Sequence, residues 1–389
     1  MGDVGIVKTQ YYTFASPPRE LVLECGERLG PITVAYETYG RLNPSGDNAI
    51  LILHALTGSA HAAGRHREDD RKPGWWDPMV GPGRPLDTDR YFVICSNVLG
   101  GCYGTTGPSS PNPATGKPYG LDFPVITVRD MVRVQRVLLE ALGVKRLVTA
   151  IGGSLGGMQA LEWGVLYPEL LSSLIVIAAP GRTSAMNIAF NTVQREAIYM
   201  DPAWQGGNYY GTPGPERGLA LARMIGTITY KSDESWTFKF GRVMNGQPGD
   251  FFRLGSRFEV ENYLYYQGRK LVERFDANCY LYLTKAMDLH DVSRGFSSYE
   301  EALSRIKCPC LVIGISSDIL YPPYQVKEIA DIINKTGGRA VYKELVSPYG
   351  HDAFLIEFTK LGGMVSEFLK AITAEKGGGI YAQRRLGGF

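Results

Sequence analysis

The stretch LVTAIGGSLGGM (147–158) sets Ser154 among four glycines directly after an apolar run. Gly152-Gly153-Ser154-Leu155-Gly156 is a G-x-S-x-G pattern, which between a strand and a helix marks a sharp turn that presents a nucleophile. Glycines suit such a turn because a Cβ would collide where the helix start crosses the strand end. A serine there also sits at a helix N-terminus, where the dipole and free N–H groups favour developing negative charge. The chemistry implied is acyl transfer through a serine ester. A serine hydroxyl is a poor nucleophile near neutral pH and needs a base that is oriented by an acid. Two histidines follow Ser154. His351, in SPYGHDAFL, comes after the strand-like AVYKELV (340–346) and before a helix, so a loop would deliver it to the edge of a sheet. His290, in MDLHDVSRG, falls in a helical region and is expected to be a packing residue. Asp318 closes the apolar run CLVIGISSD just before Pro322-Pro323, where its carboxylate could reach the second imidazole nitrogen; a helix-capping aspartate is the alternative. An oxyanion hole needs two backbone N–H groups. Leu155 supplies one by position, and the loop His54-Ala55-Leu56-Thr57-Gly58 supplies the other, with Leu56 favoured over Thr57.

Elements of a particular kind must hold these residues. AILILHA (49–55), YFVICSN (91–97), LVTAIGG (147–153), LIVIAAP (174–180) and CLVIGISS (310–317) are continuous apolar runs, as expected for parallel strands buried on both faces. TVRDMVRVQRVLLEALGV (127–144) and SLGGMQALEWGVLYPEL (154–170) carry helical spacing between them, the first ending at the C-cap candidate Gly143. This alternation predicts an α/β protein. LVLECGERL and ITVAYETYG alternate more and are expected to form an antiparallel opening hairpin. From 184 to 300 the chain lacks strand-like runs and is rich in amphipathic helical pieces. The expected division is therefore a core over 1–183 and 301–389, with a helical lid inserted at 184–300. The Gly-rich tail GGGIYAQRRLGGF (377–389) is expected to be mobile.

Composition narrows the function classes. Lys and Arg total 41 against 39 Asp and Glu, a formal charge of +2, too balanced to suggest a nucleic-acid or membrane-surface partner. No apolar stretch approaches membrane-helix length, and MGDVGIVKTQYYTF lacks an apolar leader core, so a cytoplasmic protein is expected. Cys25, Cys95, Cys102, Cys279, Cys308 and Cys310 show no paired metal-ligand spacing. Reduced thiols and no metal are expected.

The strings HALTGSAH (54–61), GGCYGTTGPSS (100–110), GGSLGGMQALEW (152–163), NIAFNTVQREAI (187–198), SSDILYPP (316–323) and GHDAFL (350–355) closely resemble the homoserine O-acyltransferases. The resemblance runs from about 10 to 375. It implies an α/β-hydrolase fold, a mostly parallel sheet with helices on both faces, and an inserted helical lid. It also implies an acetyl-CoA-dependent step of methionine biosynthesis, with Ser154 as nucleophile, Asp318 as acid and His351 as base. By the same resemblance Arg223 binds the homoserine carboxylate with Tyr230 beside it and Asp352 binds the ammonium; Thr57, in the 54–58 loop, is a further substrate-binding candidate. A ping-pong mechanism follows, with acetyl-CoA as a substrate, no permanently bound cofactor, and a homodimer formed through the lid. The absence of a G-x-x-x-x-G-K-[ST] loop agrees with a single tunnel for both half-reactions. A succinyl donor, a serine acceptor and a serine esterase are the alternatives. Acyl choice is expected to turn on tunnel residues such as those of APGRTSAMN (179–187), where Pro180-Gly181 before Arg182 departs from the family's usual form.

Overall fold

Strands that are apolar on every residue form a sheet only if both faces are covered, and the computed structural model shows that arrangement. It describes residues 2–246 and 251–377; the tail singled out above lies, beyond 377, outside the described residues. Among the described residues there are twelve strands: β1 (Gln10–Phe14), β2 (Leu21–Val22), β3 (Arg28–Leu29), β4 (Ile32–Tyr39), β5 (Ala49–Leu53), β6 (Phe92–Ser96), β7 (Leu147–Gly153), β8 (Leu174–Ile177), β9 (Met244–Asn245), β10 (Arg257–Phe258), β11 (Pro309–Ile315) and β12 (Arg339–Leu345). Eight of them make one sheet in the order β1-β4-β6-β5-β7-β8-β11-β12. Every pairing from β6 to β12 is parallel, and only the β1–β4 and β4–β6 pairings are antiparallel.

Alternate side chains of each central strand enter opposite cores, as the pleat requires. Leu51, Leu53, Val176 and Val312 face one core with helices α1 (Val128–Ala141), α2 (Leu155–Leu166) and α9 (Pro323–Lys335). Ile50, Ile52, Ile177 and Ile313 face the other, with Trp76, Met79 and helix α10 (Phe358–Gly377). Burying each such side chain contributes about 1.5–3 kcal/mol, so the sheet is held from both sides. Helix α1 starts at a capping box in which the Asp130 N–H donates to Thr127 Oγ1 and the Thr127 N–H donates to Asp130 Oδ2.

The opening of the chain differs from the expected hairpin. LVLECGERL folds on itself, β2 pairing with β3 around the turn at Gly26. Strand β4 instead pairs antiparallel with β1, whose QYYTF alternates because it is the exposed edge of the sheet.

Between β8 and β11 run α3 (Ala185–Tyr199), α4 (Glu216–Thr229), α5 (Asp233–Phe240), α6 (Glu259–Val272), α7 (Ala277–Asp288) and α8 (Tyr299–Ser304). The two-residue ladder β9–β10 also lies here, too short to carry an apolar run. The two ends of this excursion are stitched together: the Thr183 N–H donates to His290 O at 2.9 Å and the Val292 N–H to Gly181 O at 3.0 Å.

Candidate active site

The four glycines around Ser154 are explained by what a Cβ would meet. On Gly156 it would lie 2.0 Å from Leu53 O, and on Gly152 2.5 Å from the Gly156 carbonyl. On Gly157 it would lie 2.5 Å from Ala179 Cβ, and on Gly153 2.7 Å from the Phe354 ring. The start of α2 is thus pressed against the ends of β5 and β8. Ser154 carries the turn itself, with φ 60° and ψ −127°, a conformation that costs a non-glycine residue about 1–3 kcal/mol. Its N–H donates to Ile177 O at 3.0 Å, and its side chain caps nothing. The hydroxyl is left for other work.

His351 follows β12 and Asp318 follows β11, which brings both to the carboxyl edge where Ser154 stands. The imidazole Nδ1–H donates to Asp318 Oδ2 at 2.7 Å. The other carboxylate oxygen accepts the N–H groups of Leu320 (2.8 Å) and Tyr321 (3.0 Å). That fixes the tautomer with a lone pair on Nε2, and among the described residues this buried nitrogen has no partner. The rings of Tyr230, Tyr321 and Phe354 pack around the imidazole at 6.0, 5.2 and 5.6 Å. Burial opposes the imidazolium, but the charge and hydrogen bond of Asp318, joined by Asp352, outweigh it and hold the His351 pKa above the ordinary value. His290 is placed differently: it is buried, lies 3.1 Å from Pro180 O, and burial pushes its pKa down to about 4. It packs where the two ends of the excursion meet.

One cavity is lined by Ser154, His351, Leu56, Thr57, Arg223, Tyr230 and Asp352 together. The Leu155 N–H opens α2 and has no intrahelical acceptor. Among the described residues, neither the Leu56 nor the Thr57 N–H donates to a backbone or side-chain acceptor. Those three groups are free to meet an oxyanion. His54, which begins this loop, is a brace: it accepts from the Val98 N–H at 3.1 Å and lies 2.8 Å from Ala55 O. Arg274, just past α6, donates from Nη1 to Thr57 O at 2.8 Å and to the Tyr103 hydroxyl at 2.6 Å, tying the helical excursion to the same loop.

Arg223 reaches the cavity from α4 with its guanidinium 5.4 Å from the Tyr230 ring centroid, and among the described residues it makes no ion pair. Asp352 is already paired, 3.2 Å from Lys231 Nζ, a partner that sequence reasoning missed. It also missed Asn187, Asn191 and Gln194, which line the cavity from α3. Their spacing of i, i+4 and i+7 was a usable signal, since three polar residues on one helical face are here buried.

Comparison with known proteins gives the fold and the family. Residues 48–358 match the family model of the alpha/beta hydrolase fold. The chain is 66% identical over 372 residues to the homoserine O-acetyltransferase of Moorella thermoacetica, covering 96% of this chain and 98% of that one. Among solved structures, homoserine O-acetyltransferase from Bacillus anthracis is similar with a TM-score of 0.87 and 34% identity, covering 94% and 98% of the two chains. Esterase E22 is similar with a TM-score of 0.86 and 31% identity, covering 94% and 100%. Likeness to solved structures therefore does not separate transferase from esterase; the 66% identity to the Moorella thermoacetica protein is what favours the transferase. The chain belongs to the homoserine O-acetyltransferase family, built on the α/β-hydrolase fold.

Proposed function

We propose that the protein is a homoserine O-acetyltransferase, an acyltransferase of methionine biosynthesis that moves acetyl from acetyl-CoA to the hydroxyl of L-homoserine through an acyl-serine. The observation that carries this reading is the convergence of Ser154, His351, Arg223 and Asp352 on one cavity. Ser154 Oγ attacks the thioester carbonyl while His351 Nε2 takes the hydroxyl proton. The oxyanion is met by the N–H groups of Leu155 and Leu56, with Thr57 beside them. Collapse breaks the C–S bond, and His351 returns the proton to the CoA sulfur. Homoserine then enters, its hydroxyl gives its proton to His351, and its oxygen attacks the acyl-serine. Collapse of that second intermediate releases O-acetylhomoserine and restores the Ser154 hydroxyl.

Arg223 suits the substrate carboxylate because a guanidinium fork can hold both oxygens. Asp352 suits the ammonium, with Lys231 holding the carboxylate in place. Water at roughly 55 M competes with the acceptor, so the site gains by excluding it and positioning homoserine. Residues 184–300 act as the lid that does so. The lid also carries exposed apolar side chains, with Phe238 86% and Phe252 99% accessible, which suits a homodimer formed through it. No described helix is long and apolar enough to cross a membrane, and all six cysteines are free, which suits a reducing cytoplasm.

The deciding experiment measures CoA release from acetyl-CoA or succinyl-CoA, crossed with homoserine, serine or no acceptor. Acetyl-CoA with homoserine should be fastest. Release of free acetate at full rate without homoserine would establish the esterase reading instead.

A further inference from the structure

Away from the cavity, the fold gathers a second set of side chains that acyl transfer does not use. Glu37, on β4, has its carboxylate only 1% exposed. His61 Nδ1 lies 2.9 Å from its Oε2, and His66 Nε2 lies 2.7 Å from its Oε1. The ligand-capable atoms of all three residues lie within 4.8 Å of one another. The imidazole rings lie close together, with centroids 3.9 Å apart.

We propose that Glu37, His61 and His66 bind a first-row divalent cation of zinc-like preference, which clamps the 54–66 loop to β4. Two nitrogens and one carboxylate oxygen are the donor set such ions take when one coordination position stays open. The carboxylate is already oriented by other groups: the Tyr39 hydroxyl donates to Oε2 at 3.1 Å and the Thr9 hydroxyl donates to Oε1 at 3.0 Å. Ligating carboxylates are commonly held in this way. An entry path exists, since the side chain of His66 is 45% exposed and that of His61 17%. Ligands around a tetrahedral ion at 2.0–2.1 Å stand about 3.3 Å apart, whereas the two nitrogens now contact different carboxylate oxygens at 2.9 and 2.7 Å, so binding requires the rings to draw back from the carboxylate, a movement the half-exposed His66 can make.

The loop in question also carries Leu56 and Thr57 toward the cavity. Its return is held through β4 as well, because the Ala62 N–H donates to the Tyr39 hydroxyl at 2.9 Å. A cation would add a third tie to this segment and stiffen it without touching substrate.

The test uses the untagged full chain, freed of metal by chelator and dialysis, and titrated with Co²⁺ as an optical probe and then Zn²⁺ by calorimetry. The expected result is one equivalent per chain, visible d–d bands of low-coordinate Co²⁺ that Zn²⁺ displaces, and a rise in Tm on adding Zn²⁺. His66→Ala, at a half-exposed position, should fold and lose at least about 10–100-fold in affinity. Glu37→Gln should lose binding too. His290→Gln, which alters a histidine outside the cluster, should bind as the parent does. Absence of saturable binding, or binding unchanged in His66→Ala, would overturn the proposal.

Discussion

Replacing Gly156 by alanine tests whether the fold of the turn is what makes Ser154 reactive. The new Cβ would lie 2.0 Å from Leu53 O and 2.8 Å from Leu53 C. Both are backbone atoms at the end of a buried strand and neither can rotate away, so the start of α2 must retreat by more than about 1 Å to reach ordinary contact. Overpacking of this kind costs about 1–3 kcal/mol of stability. The functional cost is separate. Leu155, one residue before Gly156, carries one proposed oxyanion donor, and Leu56, three residues after Leu53, carries the other, so the retreat separates them. A misplacement of about 1 Å costs on the order of 10²-fold, comparable to losing one donor outright, ~10²–10³-fold. The assay is kcat/KM for CoA release together with the acylation burst, with urea unfolding alongside. Gly363→Ala is the control: a Cβ there meets nothing within 4 Å, in the exposed part of α10, and should stabilise the protein by up to about 1 kcal/mol with unchanged rate. A folded Gly156→Ala enzyme within about threefold of the parent kcat/KM would refute the reasoning.

Asp318→Asn removes the main influences that hold the His351 pKa up and leaves burial, which lowers it; the rate should fall by about 10⁴-fold. Because the base must be neutral to act, the acid limb of kcat/KM for acetyl-CoA should move to lower pH, and a limb that stays put or rises would exclude this role. Arg223→Ala should lower kcat/KM for homoserine by roughly 10–100-fold while leaving the acylation burst intact, consistent with loss of a charge-assisted bond of about 1.5–3 kcal/mol. Equal loss in both half-reactions would assign Arg223 elsewhere. His54 and His290 have folded-state pKa values near 4 against an ordinary 6.5, so the stability they allow is full above pH 6.5 and is lost as pH falls toward 4. Each should account for about 2 kcal/mol of the drop in unfolding free energy between pH 7 and pH 5. Urea titrations of His290→Gln should show that share of the drop gone, and an identical drop would rule out His290 as its source.

Much of the fold was legible because its determinants are local. Each central strand is a closed apolar run, and α1 shows helical apolar spacing that ends at Gly143. Ser154, Asp318 and His351 could be singled out because each stands where an apolar strand meets turn residues. What escaped detection depends on contacts between distant segments. Nothing near Asp352 signals Lys231, which lies 121 residues away. The pairing of β4 with β1 rather than with LVLECGERL follows from the tight turn at Gly26, which uses up the nearer partner. Glu37, His61 and His66 are separated by 24 and 29 positions and meet only because β4 lies beside the loop that follows β5.

The bond from Arg274 to the Thr57 carbonyl gives the enzyme an interlock. One guanidinium joins the helical excursion to the loop that carries Leu56 and Thr57, so under the proposed roles an excursion that moved to admit a bulky thioester would also pull on the proposed donor. Were Ser154 acylated as proposed, any movement of the excursion that broke this bond would also loosen the loop needed to assist hydrolysis of the ester.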